Sequence, residues 1–139
     1  MTIVKKYVQG IDNKEIFGNI GSWLTNKKVH DELGMAITSQ DGDIWYISFL
    51  NNVVTGFALY RKTKSTNAIH VRFVYGAPNE KEMLVKKIIE DAKNENIKTV
   101  WTNDRKSEAV WKKLKFKFTP RNRGEFGRWE REIKKGGKR

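Results

Sequence analysis

Leu84–Trp101, read as LVKKIIEDAKNENIKTVW, is the stretch that decides the fold. Leu84, Ile88 and Ala92 recur at four-residue spacing, which with Met83 makes one apolar helix face. Ile97–Thr102 then reads as a short strand rich in β-formers. Upstream, Pro78-Asn79 opens the helix, with Asn79 as its cap and Glu82 three residues on as the second half of a capping box. Downstream, Lys106–Leu114 reads as a second helix with Ala109, Val110 and Leu114 inward. Lys115–Thr119 and Arg128–Ile133 alternate as two closing strands around the turn-rich Pro120–Gly127.

Toward the N-terminus the period changes to two. Ala68–Tyr75, Val53–Arg61 and Ile44–Leu50 read as successive strands, with Asn51-Asn52 as a hairpin turn between the last two. Met35–Ser39 is a further candidate strand, and Thr2–Val8 a first one. Between them Asp12 and Glu15 give a capping box for a helix bearing Ile16, Ile20, Trp23 and Leu24. Val29–Leu33 adds a helical turn. The expectation is a single α+β domain over residues 1–133, a mixed, mostly antiparallel twisted sheet flanked by helices, with a basic tail at 134–139.

The composition narrows the function. The 139 residues contain no cysteine, which removes disulfides, thiolate metal sites and a cysteine nucleophile. Only His30 and His70 are present, without a clustered ligand pattern, so no metal site is expected. No P-loop, dinucleotide fingerprint or nucleophile elbow occurs. No apolar run is long enough for a bilayer and no signal-type segment opens the chain, so a cytoplasmic location is expected. The net charge of +12 is uneven: residues 105–139 carry 14 basic against 4 acidic side chains. Such a block suits a polyanion, and Lys113, Lys115, Lys117, Arg121, Arg123 and Arg128 are the candidate nucleic-acid contacts. Lys113, Lys115 and Lys117 alternate as if on one strand face. Trp111 and Trp129, interleaved with the bases, are read as core or as stacking platforms; Trp23, Trp45 and Trp101 as core.

Three stretches together resemble the GCN5-related N-acetyltransferase (GNAT) superfamily. Trp45–Leu59, WYISFLNNVVTGFAL, is similar to the family's second and third strands with their V-x-G-F/Y segment. Leu84–Trp101 is similar to the central helix and next strand without a gap, and Asp104–Phe116 to the N-x-x-A-x-x-x-Y-x-x-x-G-F segment. The resemblance spans residues 44–119. It implies an opening between Ala68–Tyr75 and Ile97–Thr102 that receives the pantetheine arm of acetyl-CoA or another acyl-CoA, and acyl transfer to an amine. The cofactor-binding residues it implies are Phe73, Val74, Gly76, Asn79, Lys81, Glu82 and Trp111.

The sequence departs from that pattern at two places, as a divergent member with a degenerate phosphate loop. Gly76, Asn79 and Lys81 stand where the family has Q/R, G and G/A, and Glu80 and Glu82 add negative charge. Trp111 stands at the tyrosine position that protonates the leaving thiolate in relatives, Asp104 at the asparagine position, and Lys115 at the glycine. Proton handling therefore falls to His70, Tyr75 and Asp104 as candidate catalytic residues. Three readings follow: an acyl-CoA-dependent N-acyltransferase, a protein of this fold that binds or modifies nucleic acid without ordinary acetyl-CoA chemistry, or a non-catalytic interaction module.

Overall fold

The computed structural model describes residues 2–33, 37–104, 106–120 and 127–133. Seven strands and four helices follow in the order β1 (Thr2–Val8), α1 (Asn13–Leu24), α2 (Lys27–Leu33), β2 (Ile44–Leu50), β3 (Val53–Thr63), β4 (Ala68–Tyr75), α3 (Pro78–Asn94), β5 (Thr99–Thr102), α4 (Glu108–Lys113), β6 (Lys117–Thr119) and β7 (Arg128–Glu132). They form one sheet in the order β1-β2-β3-β4-β5-β7-β6. Every neighbouring pair is antiparallel except β4 and β5. That parallel pair follows from α3, which crosses over between them. No described helix is long and apolar enough to cross a membrane.

The period-two pattern sorts side chains onto two covered faces. Ile44, Tyr46, Tyr60, Ile69 and Val71 pack with Leu84, Ile88, Trp111 and Trp129 beneath α3 and α4. Trp45, Ile47, Phe57, Leu59 and Phe73 pack with Ile16 and Ile20 of α1 on the other face. Five of the seven β2 residues are buried because both faces are covered. On α3 the burial extends to Val85 and Ile89, a wider apolar face than Met83, Leu84, Ile88 and Ala92 alone, and Met83 itself is only half-buried. Asp91 ties that helix to the sheet, accepting from Tyr46 Oη at 2.8 Å and Tyr60 Oη at 2.7 Å, with Lys6 Nζ at 3.0 Å. Burial first, and the Asp91 hydrogen bond second, raise both phenols above their ordinary range.

Several local expectations are corrected. Neither capping box forms. Asp12 bonds back to Val8 N at 2.8 Å, and α3 begins at Pro78 with Ala77 as its cap, because proline's fixed φ suits the first helical position. Ile37–Ser39 is not strand, and Met35 and Ala36 lie outside the described residues. Ala109 is exposed, and Trp111 takes the inward place beside Val110 and Leu114. Lys113, Lys115 and Lys117 do not share a strand: Lys113 ends α4, Lys115 sits in a turn at φ 69°, and only Lys117 lies in β6. The Asn51-Asn52 hairpin forms as expected, both residues at positive φ.

Candidate functional site

The parallel pair β4–β5 is the singular feature of the sheet. Its register runs Ala68↔Thr99, Ile69↔Val100, His70↔Trp101 and then stops. The next β4 carbonyl, Val71 O, accepts from the Thr102 side chain (Oγ1) at 2.9 Å, after which β5 ends. β4 continues through Arg72, Phe73, Val74 and Tyr75 with no strand partner on that side among the described residues. A bulge lies at the same level, since Tyr60 faces Val71 while Leu59 faces Phe73, leaving Arg72 as the extra residue. Bulges bend a strand and increase its local twist.

The turn leaving β4 is built by two glycines. Gly76 has φ 138°, a conformation that side chains resist. A Cβ on Gly56 would meet Tyr75 O at 2.5 Å, so the glycine of the Val54–Phe57 segment lets β3 pack directly under this turn. Helix α3 starts immediately after it. Of the first N–H groups, Pro78 has none, and Glu80 and Lys81 donate to Ala77 O. The Glu80 carboxylate stands beside Gly76, with Oε1 3.3 Å from where a Cβ would lie. Lys81 is buried, and its Nζ donates to Ser107 Oγ at 2.9 Å, joining the start of α3 to the start of α4. Asn79 is exposed. Glu82 is held by Lys113 at 3.0 Å and Lys86 at 3.1 Å, and these cations, Lys113 first, keep its carboxyl below the ordinary range.

The candidate acid–base residues fall in different settings. Asp104 accepts from Ser107 N at 3.0 Å and Trp111 Nε1 at 2.9 Å, an arrangement that fixes the start of α4. Trp111 is fully buried, so its indole serves this loop and the core together. Tyr75 packs edge-on to Trp23 at 5.1 Å and over Phe57 at 5.8 Å. Burial first, then the Glu32 carboxylate of α2, raise its phenol. His70 stacks flat on Trp101 at 3.9 Å and 2°, and Arg128 covers the Trp101 ring at 4.5 Å. His70 does not titrate near neutrality: burial, and next the Arg72 charge, lower its imidazole to about 4.

This shift has a measurable consequence. The folded chain holds His70 neutral while the unfolded chain protonates it near 6.5, so the contribution is complete above that pH and is lost as pH falls through about 4. Thermal unfolding of the wild type between those values should steepen toward acid more than that of His70→Gln. Parallel profiles would remove the claim.

Phe73 and Val74 turn their side chains into opposite cores, leaving only their backbone toward the opening. The basic quarter is dispersed. Lys113 pairs with Glu82, and Arg128 with Glu130. Arg131 donates to Leu114 O at 3.1 Å. Trp111 and Trp129 are buried and offer no face for a base. Arg121, Arg123 and the tail 134–139 lie outside the described residues. Sequence reasoning passed over Arg72 and the Asp43–Arg61 pair. The signal available was the polar alternation of His70 and Arg72 inside the apolar AIHVRFVY strand.

No protein-family model matches the sequence, and no curated protein matches it significantly. Solved structures do resemble the fold. A domain from Methanocaldococcus jannaschii superposes with a TM-score of 0.69 at 14% identity, over 96% of this chain and 100% of that one. An N-acetyltransferase from Staphylococcus aureus Mu50 gives 0.65 at 13% identity, over 96% and 98%. N-acetylglutamate synthase from Neisseria gonorrhoeae, complexed with coenzyme A and N-acetyl-glutamate, gives 0.60 at 11%, over 96% of this chain and 36% of its own. The likeness therefore reaches well beyond residues 44–119 and takes in the N-terminal strand and helices. With its parallel β4–β5 pair and its crossover helix, this chain has the fold seen in solved GNAT-family acetyltransferases, in a divergent sequence.

Proposed function

We propose that the protein is an N-acyltransferase that takes its acyl group from an acyl-CoA, acetyl-CoA or a relative, and delivers it to an amine. The observation that carries this reading is the strand pairing that stops at His70 and Trp101, leaving the backbone of Arg72–Tyr75 open on one side. An open strand edge offers N–H and C=O groups at the spacing an amide-bearing arm requires. Phe73, Val74 and Tyr75 would hold that arm through their main chain. At the phosphate end Gly76, Ala77 and Asn79 stand at a helix start, where backbone N–H groups suit an anion, and Lys81 supplies a buried ammonium. The Glu80 carboxylate beside Gly76 opposes an anion there, so the arm is the better-fitted half. That the synthase of the same fold is complexed with coenzyme A supports the assignment.

Acyl-CoA, when bound, supplies a thioester already activated toward amines. The contribution of this chain is orientation and exclusion of water. With its phenol raised, Tyr75 stays protonated at neutral pH, the state a proton donor requires. His70, lowered to about 4, stays neutral and is too weak a base to strip an alkylammonium; the acceptor must arrive as the free amine or lose its proton to water.

Acetyl-CoA should raise the Tm, corresponding to about 2.7 kcal/mol of added stability at a hundredfold excess over Kd. S-acetylpantetheine, which carries the arm without the phosphates, should retain a part of that effect. Absence of any shift with millimolar acetyl-CoA, together with no mass gain on a panel of amines, would refute the reading.

A further inference from the structure

Two buried side-chain nitrogens among the described residues have no hydrogen-bond partner: His70 Nε2 and Arg72 Nε. They lie two residues apart on β4, at the level where the strand loses its partner β5. Leaving a buried polar atom unmet is unfavourable, more so on a charged group, so the fold tolerates a local deficit here. Arg72 is the bulge residue, and its guanidinium stands 5.6 Å over the Phe73 ring, so both side chains lie on the α1/α2 face of the sheet. Its one described hydrogen bond is to a neutral group, Nη2 to Thr38 Oγ1 at 2.9 Å.

The neighbouring cations are already matched. Arg61, across from His70 on β3, is gripped by Asp43 at 2.7 and 2.8 Å. Arg128 is bonded to Glu130. Among the described residues Arg72 alone of this group makes no ion pair; burial first, and then the Arg61 charge, lower its pKa, while the more distant Asp43 carboxylate opposes them. Trp101, on which His70 stacks, and Arg128 line a neighbouring groove of about 500 Å³ together with Ala68, Lys98, Thr99 and Glu132.

We infer that Arg72, with His70 beside it, is an anion-recognition site next to the opening between β4 and β5, and that the acceptor is a small amine bearing a carboxylate or phosphate. This rests on the acyltransferase reading. The anionic group pairs with the guanidinium, and the body of the acceptor lies toward the groove at Trp101. In the transfer the amine nitrogen bonds the acyl carbon, the carbon–sulfur bond breaks, and the amine proton leaves with the thiol or to water. Atoms and charge balance without an oxidant or reductant. Fixing the anion at Arg72 positions the amine; the residue takes no part in bond making.

The test uses matched pairs: β-alanine against propylamine, and phosphoethanolamine against ethanolamine. Binding is read without acyl donor, by Trp fluorescence and calorimetry, and transfer is read by mass with acetyl-CoA present. The wild type should bind at least one anionic member about tenfold to a hundredfold more tightly than its neutral partner, as charge-assisted hydrogen bonds imply. The two pairs separate carboxylate from phosphate recognition. Arg72→Leu should erase the preference as a rise in KM, and Arg72→Lys, which keeps the charge without the fork, should restore part of it. Equal affinity for anionic and neutral partners in the wild type overturns the inference, as does an Arg72→Lys variant that folds and loses nothing along with Arg72→Leu. Arg72-dependent binding of an oligonucleotide in place of either amine also overturns it. Arg72-dependent anion binding without acyl transfer would instead leave this site standing and refute the acyltransferase reading.

Discussion

Trp111→Ala is expected to lower the unfolding free energy by about 3–5 kcal/mol, the usual cost of emptying a large aromatic site in a core. The indole is fully buried, packs edge-on to Phe116 at 5.0 Å, and donates from Nε1 to Asp104 Oδ2 at 2.9 Å. That carboxylate in turn receives Ser107 N, and Ser107 Oγ receives the buried Lys81 ammonium. Losing the indole therefore opens a cavity and frees the joint between the starts of α3 and α4. Trp111→Phe separates the two effects. It should recover most of the packing and leave a deficit of about 1–2 kcal/mol for the hydrogen bond to a charged acceptor. Urea denaturation at neutral pH measures both. A loss below 1 kcal/mol for the alanine variant would mean the site collapses around the gap and the joint is not held from this position.

The second large effect is expected at Asp43. This carboxylate is fully buried and accepts from Arg61 Nε and Nη2 at 2.7 and 2.8 Å, and from Gln40 N at 2.9 Å. Asp43→Ala leaves the Arg61 guanidinium partly buried beside Arg72 and His70, without a counter-charge. Breaking one side of such a pair costs about 3–5 kcal/mol, whereas replacing both partners by apolar residues is often neutral. The double variant Asp43→Leu/Arg61→Leu should accordingly be more stable than Asp43→Ala alone. If the double variant is the weaker of the two, the pair contributes net stability and the desolvation argument is wrong for this site.

Much of the architecture was legible in local pattern. The spacing of Leu84, Ile88 and Ala92 marks α3 because a helix face repeats every three to four residues whatever it packs on. The strands β2 to β4 declare themselves by β-formers and by Asn51-Asn52, whose tolerance of positive φ makes the hairpin. The helix caps were misread, since Asp12 and Asn79 have alternative uses that local sequence cannot rank. Asp12 turns back to Val8, and Pro78 takes the first helical position ahead of Asn79. The basic run at Lys113–Lys117 was misread as a strand because a turn at Lys115 breaks it, and positive φ at a lysine has no sequence signature.

The site was legible only in outline. His70 and Tyr75 stand on the strand that the alternation identifies, and the resemblance picked out Gly76 and Lys81 at its end. What sequence could not give is the company each residue keeps. Asp104 is a carboxylate at a helix start in sequence; in the fold it is occupied by Trp111 and Ser107. Lys81 and Ser107 are 26 residues apart, and Arg61 and Asp43 are 18 apart.

The sequence by itself determined the opening helix–strand unit at Leu84–Trp101, because helix period and strand period are properties of neighbouring residues. Only the tertiary structure decided how that unit lies against β4. The pairing ends after three residues because Arg72 is bulged out and Thr102 Oγ1 takes the place of the next backbone donor. Those two events come from strands separated by a crossover, and they fix both the end of the pairing and the place of Arg72 beside it.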